Sequence, residues 1–177
     1  MTGSAAARIW LRRLYGASAA LGGLLFVGVA GFILYQLGSE VFDYIPRSAD
    51  EFAGYCMAGS AFLALAYTFD AGEHIRVTLI AHRLRGAARR SLDIFAMLVS
   101  AGLTAYLAWY MVKMAWVSWQ LHETTQGLIA LPLWIPQSAM ALGAAVFFIA
   151  VTEKSLRVIA GEDIDSTETE GVARADR

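Results

Sequence analysis

Few residues of this chain offer catalytic or ligating chemistry. Cys56 is the only cysteine, so a dithiol that passes a disulfide is excluded. His74 lies beside Glu73 and two residues before Arg76, but neighbours in sequence point in different directions on a helix, so they form no acid–base pair. The sequence has no His, Cys or carboxylate cluster at metal-ligand spacing and no Gly-rich phosphate loop. We therefore expect no enzyme activity, no metal and no cofactor.

A second set of candidates lies in apolar surroundings, where a charged or polar residue is a functional candidate. Lys113 follows Trp109 by four residues, so its ammonium can rest on an aromatic ring. Snorkelling to the outer interface and a substrate or partner contact are both open for this lysine. Pro132 and Pro136, with Trp134 between them, suit a helix start at the outer interface or a specific partner contact.

The elements that carry these residues are predicted to be membrane helices. Of 177 residues, 58% are hydrophobic and 16% are charged, with a mean hydropathy of +0.52. A bilayer core needs about 20 apolar helical residues, or about 17 at the short end. Four charge-free runs meet this length: residues 14–39, 52–69, 94–112 and 124–152. They leave little chain for a soluble catalytic domain.

We expect an all-α polytopic membrane protein with four transmembrane helices. The predicted spans are residues 16–39, 50–69, 92–118 and 133–153. They form a membrane domain over residues 14–158, between an N-terminal segment, 1–13, and an acidic tail, 159–177. The tail has almost no apolar content and is predicted to be disordered.

The positions of Lys and Arg predict the orientation. Their counts in the N-terminal segment, the three loops and the residues after the fourth run are 3, 1, 5, 0 and 4, the last four being Lys154, Arg157, Arg174 and Arg177. This alternation follows the positive-inside rule, so both termini and the loop over residues 70–93 are expected in the cytoplasm. Within that loop, Val77, Ile80 and Leu84 share one helical face while arginines occupy the rest, which predicts an amphipathic arm helix between spans two and three.

Small residues recur at helical spacing in three of the spans. The pairs are Ala19 and Gly23, Gly54 and Ala58, and Ala139 and Gly143. Such pairs let helices approach closely in lipid. The sequence leaves open whether they pack within this chain or against a partner.

Two membrane functions need residues that these spans do not have. A cytochrome b needs paired histidines inside the bilayer, whereas His74 and His82 are expected in the cytoplasm and His122 at the outer side. A proton-coupled drug exporter needs an acidic residue within a span, and the four runs contain none. We also expect no buried charge in the spans and no interrupted helices of the kind that a transporter core uses.

Two segments resemble a known family, the small membrane subunit (DctQ type) of tripartite ATP-independent periplasmic (TRAP) transporters. The family's Gly-x-His-Ile-Arg-Val pattern is matched by Gly72, His74, Ile75, Arg76 and Val77. Its Leu-Pro-x-Trp pattern, followed by a second Pro and a Gly, is matched by Leu131, Pro132, Trp134, Pro136 and Gly143. The likeness covers residues 10–158. Thr78 is a departure, because family members often have an acidic residue there, whereas the hydroxyl of Thr78 has no charge for an ionic contact.

The resemblance implies a small permease subunit of a sodium-coupled, binding-protein-dependent transporter that takes up an organic acid. Such a subunit braces the large permease subunit, which carries the sodium and substrate sites, and helps to dock the periplasmic binding protein. The expected partners are these two proteins and membrane lipids, with no nucleic acid. The expected partner or lipid contacts are Gly72, His74, Ile75, Arg76, Val77, Lys113, Pro132, Trp134 and Pro136. The alternative is a self-contained homo-oligomeric four-helix carrier or a structural subunit of another membrane complex.

Overall fold

The computed structural model describes residues 3–42, 44, 48–71, 87–127 and 129–159. These residues form four helices: α1 (Gly3–Phe42), α2 (Ala49–Asp70), α3 (Ala87–Gln120) and α4 (Trp134–Ile159). Each contains a segment long and apolar enough to cross a membrane. The prediction of an all-α protein with four membrane helices is therefore confirmed. The predicted arm helix and residues 160–177 of the predicted tail lie outside the described residues.

The helices form because lipid offers no hydrogen bonds to the backbone, so a spanning segment must satisfy its own N–H and C=O groups. Two of the helices, α2 and α4, also begin where the chain gives a signal. Before α2, Ser48 adopts a left-handed conformation with φ of 55°. Asp50 and Glu51 then lie in the first turn of α2, where negative charge complements the helix dipole. Pro136 lies in the first turn of α4, where its missing N–H costs little.

The four helices lie in the order α1, α2, α4, α3. α1 packs against α2, α2 against α4, and α4 against α3, so α1 and α3 are the two edges of the row. We call the end where residues 121–133 join α3 to α4 the loop end, and the opposite end, where Tyr15 and Glu153 lie, the terminal end. The edge helices expose large apolar side chains along their length, including Trp10, Phe26 and Trp109.

Glycines set the close approach of the central helices. A Cβ on Gly143 of α4 would lie 2.5 Å from the carbonyl carbon of Phe62 in α2. A Cβ on Gly59 of α2 would lie 3.4 Å from the Cβ of Ala139 in α4. The predicted Ala139 and Gly143 pair therefore packs within the chain. By contrast, a Cβ on Gly23 or on Gly54 would meet no described atom within 4 Å.

Candidate functional site

A polar network joins α1 to α4 at the terminal end. The hydroxyl of Tyr15, which is 2% exposed, donates a hydrogen bond of 2.8 Å to Oε2 of Glu153. The other oxygen of Glu153 pairs with Arg157 one turn later in α4. The network is partly buried beside the apolar cluster of Ala66, Val146 and Ala150. Such a bond between helices has few competing partners in lipid and holds α1 in place.

Lys154 adds a second polar contact between helices at this end. Its side chain is only 8% exposed, and Nζ lies 5.0 Å from the ring centroid of Phe69 in α2. A cation over a ring face is attracted by the ring quadrupole. The predicted fourth span ends at residue 153, so this buried charge lies one residue beyond that span although it is inside α4. Lys154 lies just beyond the charge-free run, and the sequence pattern counted it only as a marker of topology.

The same end is also held by hydroxyl bonds to backbone carbonyls of neighbouring helices. Ser18 Oγ in α1 donates to the carbonyl of Leu63 in α2 at 2.6 Å. Ser155 Oγ in α4 bonds its own helix at Val151, and its distance to the carbonyl of Met97 in α3 is 3.4 Å. Together with Tyr15 and Glu153, these contacts reach all four helices. One part of this set has a signal in the sequence. Glu153 and Arg157 stand four residues apart directly after an apolar run, a spacing that favours an ion pair on a helix.

The connection at the loop end folds on itself through backbone bonds. Thr125 N donates to the carbonyl of Leu131 at 2.8 Å, and Leu133 N donates to the carbonyl of Glu123 at 2.9 Å. Thr124 and Pro132 form the bridge between the two sides of this turn. Pro132 thus precedes the helix without needing an N–H, and α4 begins two residues later at Trp134. The predicted helix start in this segment is confirmed.

This connection also packs on the start of α2. Ile129 N donates to Ser48 Oγ at 3.2 Å. A Cβ on Gly127 would overlap Oε2 of Glu51, whose Oε1 accepts a 2.6 Å bond from the hydroxyl of Tyr55. α2 begins at Ala49, one residue before the predicted span over residues 50–69, so Glu51 lies in its first turn. Glu51 is therefore held in a packed contact instead of in solvent.

Lys113 lies on the exposed side of α3, seven residues before the helix ends. Its Nζ lies 5.9 Å from the ring centroid of Tyr110, so the ring that it approaches is neither Trp109 nor Trp116. A rise of 1.5 Å per residue puts Lys113 about 10 Å from the end of α3, within reach of the interface for a long side chain. The aromatic side chains around it are exposed, among them Tyr106, Trp109, Trp116 and Trp119.

The structure brings only part of the predicted contact set together. Pro132, Trp134 and Pro136 lie at the loop end, where Trp134 faces the end of α3 across a groove that also includes Trp116 and Trp119. Lys113 lies nearby on α3 but next to Tyr110. Gly72, His74, Ile75, Arg76 and Val77 are outside the described residues. What the described side chains provide is helix contact and exposed apolar surface.

The chain was compared with known proteins and protein families, and one family matches it. No curated protein matches the chain. Residues 37–161 match the family described as "Tripartite ATP-independent periplasmic transporters, DctQ component". The match runs from the end of α1 through α4 and includes both segments that carried the resemblance, which is thereby confirmed. This multi-pass membrane protein therefore belongs to the DctQ component family of TRAP transporters.

Proposed function

We propose that this chain is a scaffold that braces the large permease subunit of a TRAP transporter in the membrane. The single observation that supports this most strongly is the row of helices, in which α2 and α4 each pack between two neighbours and α1 and α3 have exposed apolar faces. A carrier that works alone arranges its helices around a polar cavity at the midplane. A row with two open edges instead suits attachment to a second membrane protein.

The orientation of the scaffold follows from its charges. Arg12 and Arg13 lie at the terminal end with Lys154 and Arg157, so this end faces the cytoplasm by the positive-inside rule. Both termini are then cytoplasmic, and the loop end faces the periplasm of a bacterial inner membrane. The chain itself serves neither as an enzyme nor as the site of sodium or substrate binding.

The loop end is the part that helps to dock the periplasmic binding protein. Its connection is held by the backbone bonds of Thr125 and Leu133 and by the bond to Ser48, so it presents an ordered surface above α3 and α4. A preformed surface loses less conformational entropy on binding than a mobile one. In this proposal the binding protein delivers an organic acid, and a sodium gradient drives its uptake through the large subunit.

The proposed contacts outside the described residues are Gly72, His74, Ile75, Arg76 and Val77. The guanidinium of Arg76 offers directional hydrogen bonds to a carboxylate of the large subunit or to a lipid phosphate. Lys113, Pro132, Trp134 and Pro136 are the proposed contacts at the periplasmic side, with lipid or with the two partner proteins.

The test is copurification from the native membrane. We expect a tagged chain, extracted in mild detergent, to bring down a many-span permease in about equal amount. Arg76→Ala and His74→Ala are expected to weaken that association and to reduce sodium-driven uptake, whereas Arg174→Ala in the acidic tail serves as a matched control. A homogeneous homo-oligomer without a permease would overturn the proposal and support the self-contained carrier.

A further inference from the structure

A groove separates α3 from α4 at the loop end. It has a volume of about 510 Å³ and runs between Val112, Trp116 and Trp119 on one side and Trp134 and Ala145 on the other. Among its lining residues the hydroxyl of Ser138 already donates a 2.7 Å bond to the carbonyl of Ile135 in its own helix. The wall of the groove therefore consists of aromatic rings and aliphatic side chains. It excludes a polar ligand, because such a ligand would find no hydrogen-bond partners there.

The groove is confined to one half of the helix pair. Towards the terminal end α3 packs directly on α4, since Met97, Thr104 and Ala108 are each no more than 8% exposed. Ser155 of α4 there approaches the carbonyl of Met97. The two helices are thus closed against each other over the terminal half and separated over the loop half.

The length of the groove along the helices is close to the thickness of one leaflet. Trp119 lies seven residues from Val112 along α3, and Trp134 lies eleven residues from Ala145 along α4. At 1.5 Å per residue these separations are about 10 Å and about 16 Å. Half of a hydrocarbon core of about 30 Å is about 15 Å. Trp119 and Trp134 also lie at the ends of their helices, where indole rings favour the headgroup level.

The groove fits a flexible apolar chain better than a helix. A helix is about 10 Å in diameter, much wider than an acyl chain, and it stays straight over the length of the groove. A membrane-spanning partner helix also continues through both leaflets, whereas the groove ends at the closed half of the pair. A flexible apolar chain that enters from the headgroup level and reaches the bilayer midplane fits both limits.

We propose that the groove between Trp116, Trp119 and Trp134 binds an acyl chain of a phospholipid from the leaflet at the loop end. The tryptophan rings pack on the upper methylenes of the chain, and Ala115, Ala141 and Ala145 leave room for the lower ones. Each methylene that fits well gains contacts with the groove wall that a bulk lipid does not make. This inference needs no partner subunit and is independent of the proposed function.

The test uses the full chain, with any partner that copurifies, in vesicles of phosphatidylethanolamine and phosphatidylglycerol. The probe is phosphatidylethanolamine with a photoreactive diazirine in one acyl chain, and adducts are mapped by mass spectrometry. We expect several-fold more adducts per residue on the groove than on Leu24 and Leu34, which α1 exposes to bulk lipid.

Variants that fill the groove test whether the adducts come from a chain bound inside it. Ala115→Leu and Ala145→Leu are expected to reduce the groove adducts several-fold, while Ala30→Leu, on the exposed side of α1, leaves them unchanged. Circular dichroism and elution volume check that each variant keeps its fold. Equal labelling of the groove and α1, or unchanged labelling of the filled variants, would overturn the proposal. So would a protein cross-link from a benzophenone amino acid in place of Leu142.

Discussion

The two ends of the helix row are held together in different ways. At the terminal end, side chains carry the contacts, and the bond between Tyr15 and Glu153 joins residues 138 positions apart. At the loop end, the connection from α3 to α4 bonds to itself, through its backbone at Thr125 and Leu133 and through the hydroxyl of Thr125. The side chains of α3 and α4 there stand apart around an apolar groove.

Polar side chains join helices at the end where no covalent connection holds them together. At the loop end, short connections tether α1 to α2 and α3 to α4, so the chain itself limits the separation of each pair. No connection ties α1 to α4 at the terminal end, and lipid provides no hydrophobic drive between helices. Tyr15, Glu153 and Lys154 supply contacts that the covalent chain does not.

The largest effect is expected where α2 and α4 cross, because this contact joins the two halves of the row. Gly143→Val places its Cβ against the carbonyl group of Phe62 and must push the helices apart, at a cost of about 3 kcal/mol. The loss of stability is measured by thermal unfolding in detergent, monitored by circular dichroism. Gly102→Val is the matched control, since a Cβ there meets no described atom within 4 Å. Equal melting of the two variants would show that the close approach is not required.

A smaller effect should separate the two ends directly. Glu153→Ala leaves Tyr15 and Arg157 without their partner, and we expect a loss of about 1–2 kcal/mol. Glu123→Ala removes a 2.7 Å bond from Ser118 that lies within the loop end, and we expect at most about 1 kcal/mol. Denaturant titration of both variants gives the comparison. If Glu123→Ala costs as much as Glu153→Ala, the contrast between the ends is wrong.

The smallest effect on global stability is expected from Gly127→Ala. The added methyl overlaps the carboxylate of Glu51 and would lie 3.0 Å from Ser48 Oγ, so both side chains must shift and the bond from Ile129 N to Ser48 Oγ weakens. Hydrogen exchange should quicken at the amides of Thr125 and Leu131, with a change in unfolding free energy of only about 0.5 kcal/mol. Gln126→Ala, exposed beside it, should change neither quantity. Unchanged exchange in Gly127→Ala would mean that the loop tolerates the methyl group.

The sequence predicted the helices well because length and the absence of charge are what lipid requires of a span. It did not predict their order, since uniformly apolar helices lack the stripe that identifies a buried face. The start of α4 was predictable from Pro132, Trp134 and Pro136, whose backbone restrictions are local.

The contact sites were predicted less completely for a physical reason. The sequence pattern of Lys154 and Arg157 indicates only the topology. A charge just beyond an apolar run gives the same pattern whether its side chain meets solvent or another helix. Only the packing of α2 against α4 shows that Lys154 lies over Phe69. The closeness of Gly127 to Glu51 likewise depends on residues 76 positions apart, which no local pattern records.

The bond between Tyr15 and Glu153 has a consequence for biosynthesis. Tyr15 leaves the ribosome 138 residues ahead of Glu153, which at about 5–20 residues per second is a delay of about 7–28 s. During that time α1 and α2 can insert as a hairpin, but Glu153, the acceptor of the phenol's hydrogen bond, has not yet been made. Attachment of α1 to α4 is therefore among the last steps of assembly, and a nascent chain arrested before Glu153 leaves the first helix held by its neighbour α2 alone.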